Sequence, residues 1–103
     1  MKGEKTIAID FDGVIHAYRD GWIDGSIYDV PVFNSIEGLR ALNHKGYNII
    51  IFTAREDLEA VKTWLAKWIA LPIEVTNKKP QAIAYIDDRA IRFTNWQDIL
   101  NYF

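Results

Sequence analysis

The run Ile7-Ala8-Ile9-Asp10-Phe11-Asp12-Gly13-Val14-Ile15 constrains this chain more than any other segment. An uninterrupted apolar stretch of this kind suits a strand buried on both faces of a parallel sheet. It ends in two acids spaced Asp-x-Asp, followed at once by glycine. In open parallel sheets ligands bind beyond the carboxyl ends of the strands. Two carboxylates held so close repel one another unless a cation or a shared proton relieves them. Oxygen ligands of this hardness point to magnesium. The same residues also suit a plain turn, since Asp and Gly are common turn residues, so the rest of the chain has to decide.

Further apolar runs follow the same plan. Strands are expected at residues 5–10, 47–52, 73–75 and 82–86, with a fifth at 90–93. Between them lie stretches of helical periodicity. Ile36, Leu39 and Leu42 give one face of a helix over residues 35–45, with Phe33 just before it and also expected to face the sheet. Asn34 with Glu37 reads as its capping box and Gly46 as its stop. Leu58, Val61, Leu65 and Trp68, with Trp64 and Ile69 beside them, give a second helix over residues 56–70, ended by Pro72. A third is expected at 96–102. Strands alternating with helices predict an α/β protein with a parallel sheet and right-handed crossovers. Residues 14–32 fall outside this alternation. There His16-Ala17-Tyr18-Arg19 and Trp22-Ile23 flank Asp20-Gly21, which predicts a small β-hairpin projecting beyond the Asp-x-Asp loop.

At 103 residues the chain holds one domain, and half its residues are hydrophobic, enough for one core. A net charge of −2 argues against broad, non-specific nucleic-acid binding. There is no cysteine, which excludes disulfides, thiol chemistry and thiolate zinc sites. No stretch resembles a signal peptide or reaches transmembrane length, so the expectation is a cytoplasmic protein without a membrane partner.

Each expected strand ends in polar residues of a particular kind: Asp10 and Asp12, then Thr53, then Lys78 and Lys79 in the loop after strand 3, then Asp87 and Asp88. Parallel strands bring all of these to one edge. Carboxylates there suit a cation. The cation, a lysine and free backbone N–H groups suit phosphate oxygens.

These residues resemble the four ordered motifs of the haloacid dehalogenase-like (HAD) phosphohydrolases: Asp10-Phe11-Asp12-Gly13-Val14, Thr53, Lys79-Pro80 and Asp87-Asp88. The resemblance runs from residue 7 to 88 and implies a single Rossmann-like, three-layer α/β domain over residues 1–103. It would have a sheet of about four to five strands and the hairpin as flap. It also implies a Mg²⁺-dependent phosphatase acting through an aspartyl-phosphate. Asp10 would be the nucleophile, and Asp12 the general acid and then base. Lys79 would pair with phosphate and nucleophile. Thr53 would bind a phosphoryl oxygen, with Ala54 and Arg55 beside it and His16 reaching in from the flap. Mg²⁺ would be held by Asp10, the Asp12 main-chain carbonyl, Asp87 and Asp88. Asp12 argues for phosphate-ester hydrolysis, because an alkoxide needs a proton on leaving and a halide does not. The absence of a cap insertion implies a minimal, capless member. Its open site suits a large phosphorylated substrate, or closure by a second subunit of a homo-oligomer.

Other readings compete. Thr53 with Glu56 also fits a capping box for the second helix. Lys78 reads as a solvated loop residue, Arg89 as a surface ion-pair partner and His44 as a surface residue. His16, Tyr18 and Trp22 either contact substrate or pack beneath the flap. A phospho-accepting receiver domain uses similar groups but in another order, with its aspartate after the third strand, where this chain has Thr76-Asn77. A catalytically silent phosphate-binding module is the third reading.

Overall fold

The protein is described from a computed structural model over residues 5–71, 73–87 and 93–103. Four strands, β1 (Thr6–Asp10), β2 (Asn48–Phe52), β3 (Glu74–Thr76) and β4 (Ala84–Ile86), form an all-parallel sheet in the order β3-β2-β1-β4. Three helices, α1 (Ser35–His44), α2 (Leu58–Trp68) and α3 (Trp96–Asn101), complete an α/β fold. Pro72, Asp88, Arg89 and most of the expected fifth strand lie outside the described residues, and Phe93 belongs to no strand. Among the described residues no helix is long and apolar enough to cross a membrane.

The register divides the sheet into two unlike faces. Ile7, Ile9, Ile49, Ile51, Val75 and Ile86 share one face and join Leu39, Leu42, Val61, Trp64, Leu65, Trp96 and Ile99 of the helices in a single core. The other face carries Thr6, Ala8, Asp10, Ile50, Phe52, Glu74 and Tyr85, none of them in that core. Residues 77–83 cross it on their way from β3 at one edge to β4 at the other. Three strand spacings are about 14 Å. Fully extended, those residues reach about 23–25 Å, whereas coiled as a helix they would reach only about 10 Å. The connection must therefore be an extended strap, and it stands where a third layer of helix was expected. The Tyr85 hydroxyl holds it by donating to the Pro80 carbonyl.

Local chemistry departs from the sequence reading at three points. Asn34 precedes α1 but at φ +66° its side chain makes no cap hydrogen bond; it serves as one of the few residue types that tolerate a left-handed backbone. That turn throws Phe33 outward, 85% exposed, instead of onto the sheet. The cap of α2 is Asp57, whose side chain accepts from the Ala60 N–H, so the Thr53–Glu56 capping box does not form. Gly46 stops α1 as expected, at φ +93°.

Gly38 marks a tight contact between α1 and α3. A Cβ at this position would clash with the ring of Trp96, which is itself buried and donates its indole N–H to the Val14 carbonyl. Alanine normally stabilises a helix over glycine by roughly 0.5–1 kcal/mol. Here overpacking should reverse the sign and cost about 1–3 kcal/mol. Gly38→Ala is therefore expected to lower the melting temperature by roughly 4–8 °C per kcal/mol. An unchanged or raised Tm in a thermal melt would show that α3 shifts freely on α1.

Candidate active site at the carboxyl edge of the sheet

The Asp-x-Asp loop is built around its middle residue. Phe11 is fully buried, stacked on His16 at 5.4 Å and edge-on to Trp64 at 5.2 Å. Its carbonyl accepts from the N–H groups of Ile15 and His16, and Gly13, at φ +84°, lets the chain close this turn. With Phe11 anchored inward, the two flanking acids are left at the sheet edge, and the structure gives them different surroundings.

Asp10 accepts from the Phe11 N–H at 2.8 Å and lines a cavity of about 260 Å³. Each strand contributes to that cavity at or just beyond its end: Asp10 from β1, Thr53 and Ala54 after β2, Asn77 after β3, and Asp87 after β4. Ala8, Phe52 and Tyr85 on the strap-covered face complete its lining with Ile86. Thr53 is buried, and its hydroxyl oxygen accepts from the Arg55 N–H at 3.2 Å. Lys79 lies on the strap with its ammonium 4.9 Å from the centroid of the Tyr85 ring, so it sits beside a wall of the cavity.

Asp12 is clamped. Arg55 donates to it twice, Nε to Oδ2 at 2.8 Å and Nη2 to Oδ1 at 3.0 Å, and the third guanidinium nitrogen donates to the Gly25 carbonyl at 2.8 Å. The Asp12 hydrogen bonds raise the Arg55 pKa further. His16 Nδ1 lies 2.8 Å from Asp12 Oδ1. The Asp29 N–H donates to His16 Nε2 at 3.0 Å, so the ring proton resides on Nδ1 and is given to Asp12. His16 is fully buried among Phe11, Trp64, Tyr18 and Tyr28. It cannot reach a substrate, and its expected role as a substrate contact is corrected to orienting Asp12. Arg55, expected beside the phosphate, is likewise engaged with Asp12 and the flap.

The flap is a loop and not a hairpin. Only the isolated bridge between His16 and Pro31 pairs its ends. Its turn is held by side chains: Tyr28 Oη accepts from the Asp20 N–H and donates to the Gly21 carbonyl. Arg19 folds back onto buried Asp29, with contacts of 2.6–3.2 Å, and these hydrogen bonds hold the Asp29 carboxyl far below its ordinary range. The Asp29 carbonyl accepts from the Trp64 indole N–H at 3.1 Å, which fixes the flap base to α2. Strand pairing across Asp20-Gly21 loses to these contacts because Arg19 and Tyr28 satisfy the backbone and charge of the loop locally.

Among the described residues no three His, Asp or Glu side chains group closely enough to hold a metal, and Asp88 lies outside them. Sequence reasoning missed Asn77, Tyr85 and Asp29. Asn77 was findable, since it is the first residue past β3 on the same edge. Asp29 gave no signal, because its partner Arg19 stands ten residues away in irregular chain.

A solved structure described as that of a conserved protein coded by a locus of Bacteroides thetaiotaomicron resembles this chain. The TM-score is 0.66 and the identity 25%, over 91% of this chain and 84% of that one. The likeness is one of fold. No family model matches the sequence, and no curated protein does.

Proposed function

We propose that this chain is a phosphatase that hydrolyses a phosphate monoester through an aspartyl-phosphate, with Mg²⁺ as cofactor, in the manner of the HAD phosphohydrolases its motifs resemble. The observation that carries this reading is the single cavity lined by Asp10, Thr53, Asn77 and Asp87, with Asp12 fixed just beyond it. An Asp10 carboxylate oxygen attacks phosphorus as the ester P–O bond breaks, and Asp12 protonates the departing oxygen. Water then attacks the aspartyl-phosphate, giving its proton to Asp12, and phosphate leaves. In its present setting Asp12 receives hydrogen bonds from donors only. To carry a proton it must give up one of these contacts during the reaction while the others keep it oriented. Thr53 has its hydroxyl proton to offer a phosphoryl oxygen. Lys79 does not line the cavity, and to add its charge it would have to leave the Tyr85 ring and turn into it.

The donor set fits Mg²⁺: two carboxylates, Asp10 and Asp87, line one cavity, and this ion takes few protein ligands and keeps its waters. When bound, it would neutralise phosphate charge. Asp88 and the Asp12 carbonyl are the further ligands that the resemblance implies.

The test is release of phosphate from p-nitrophenyl phosphate with Mg²⁺ and with excess EDTA. Repeated turnover that stops in chelator is expected. Turnover undiminished by chelator would remove the metal from the reading. A single bound phosphate without turnover would favour the silent phosphate-binding module, which the clamped state of Asp12 also suits.

A further inference from the structure

A second cavity, of about 340 Å³, adjoins the first and shares Ala54 with it; Trp22, Gly25, Arg55, Glu56, Asp57 and Ala60 complete its lining. That volume lies at the small end of ligand pockets, about 300–1,000 Å³. Its wall includes Arg55, whose guanidinium is paired with Asp12, the residue read as the leaving group's proton donor. Its most unusual wall is Trp22, 68% exposed although it is one of the largest apolar side chains. The indole is nevertheless positioned. Its edge would lie 3.1 Å from a Cβ at Gly25, and the Arg55 guanidinium carbon is 5.9 Å from its centroid. Gly25, at φ +88°, both admits the indole and turns its carbonyl to Arg55.

Building on the phosphatase reading, we propose that this cavity is a leaving-group subsite for a flat, uncharged ring bearing N–H or O–H donors, and that the substrate is a nucleoside monophosphate. A ring stacked on Trp22 covers the exposed indole face. Glu56 and Asp57 are acceptors for exocyclic amines or ribose hydroxyls. The Arg55 charge is already matched by Asp12, so these two acids set the sign of the subsite. A second phosphate on the substrate would meet them as like charge, which selects a monophosphate over a diphosphate.

The deciding comparison is adenosine monophosphate against ribose 5-phosphate, which differ by the base alone. The wild-type protein should show kcat/KM higher for the nucleotide by roughly 10-fold or more. Trp22→Ala should bring the nucleotide down towards the sugar phosphate. Equal values in the wild type, or a preference that survives Trp22→Ala, would overturn the subsite. A binding arm separates this from failure of the phosphatase reading: adenosine, which has no phosphate, is titrated into wild-type protein while the indole N–H resonance of Trp22 is followed by NMR. A saturable shift of that resonance, with no phosphate released from any ester, would keep the subsite and sink the phosphatase. An unmoved resonance would overturn the subsite whatever the protein hydrolyses.

Discussion

Asp10→Asn is expected to reduce phosphate-ester turnover by roughly 10³-fold or more while leaving the fold intact. Asparagine is a poor nucleophile, but its amide oxygen can still accept from the Phe11 N–H, as Asp10 Oδ1 does at 2.8 Å. The substitution also removes one of two negative charges, Asp10 and Asp87, from a single cavity. Without Mg²⁺ the variant should still melt cooperatively, so that a lost rate is lost chemistry and not a lost fold. Parallel measurement of kcat and Tm tests both halves. Retention of more than about a tenth of the activity would mean that another group attacks phosphorus.

Arg55→Ala should harm both stability and rate. It deletes two charge-assisted hydrogen bonds to Asp12 and the tether to Gly25, along with stacking on Tyr18 and Trp22. Hydrogen bonds to charged groups contribute about 1.5–3 kcal/mol each where solvent is excluded. Asp12 is partly exposed, so a total of about 1–3 kcal/mol is expected. Asp12 then keeps only His16 as orienting partner, and misplacing a proton donor by about 1 Å costs roughly 10²-fold. The loss should be larger for alkyl than for aryl phosphates, whose leaving oxygens need little protonation. Arg55→Lys should not restore it, because an ammonium cannot reproduce the planar two-point contact. Equal losses for both ester types would reduce Arg55 to a flap anchor. Asp12→Asn should destabilise the fold as well, because its amide group would face the donors of Arg55 and His16.

Much of this molecule follows from local sequence pattern. The apolar runs ending at Asp10, Phe52 and Ile86 suit strands of a parallel sheet, and parallel strands bring their ends to one edge. Asp10, Thr53, Ala54 and Asp87 therefore line one cavity, as their positions along the chain required. The helices were legible from the spacing of Leu39, Leu42, Val61 and Leu65, because that spacing is a backbone property.

What the sequence left undecided depends on contacts between residues far apart in the chain. Asp12 and Arg55, separated by 43 positions, meet only because β1 and β2 are neighbours. His16 could not be told from a substrate contact until burial against Phe11 and Trp64 placed it inside. The flap carries strong hairpin residues, yet Arg19, Asp29 and Tyr28 supply closer partners than strand pairing would. The second sheet face is covered by a strap because strand order makes residues 77–83 span the whole sheet. Strand order is a matter of which strands pair side by side, contacts between residues far apart in the chain that no local pattern encodes.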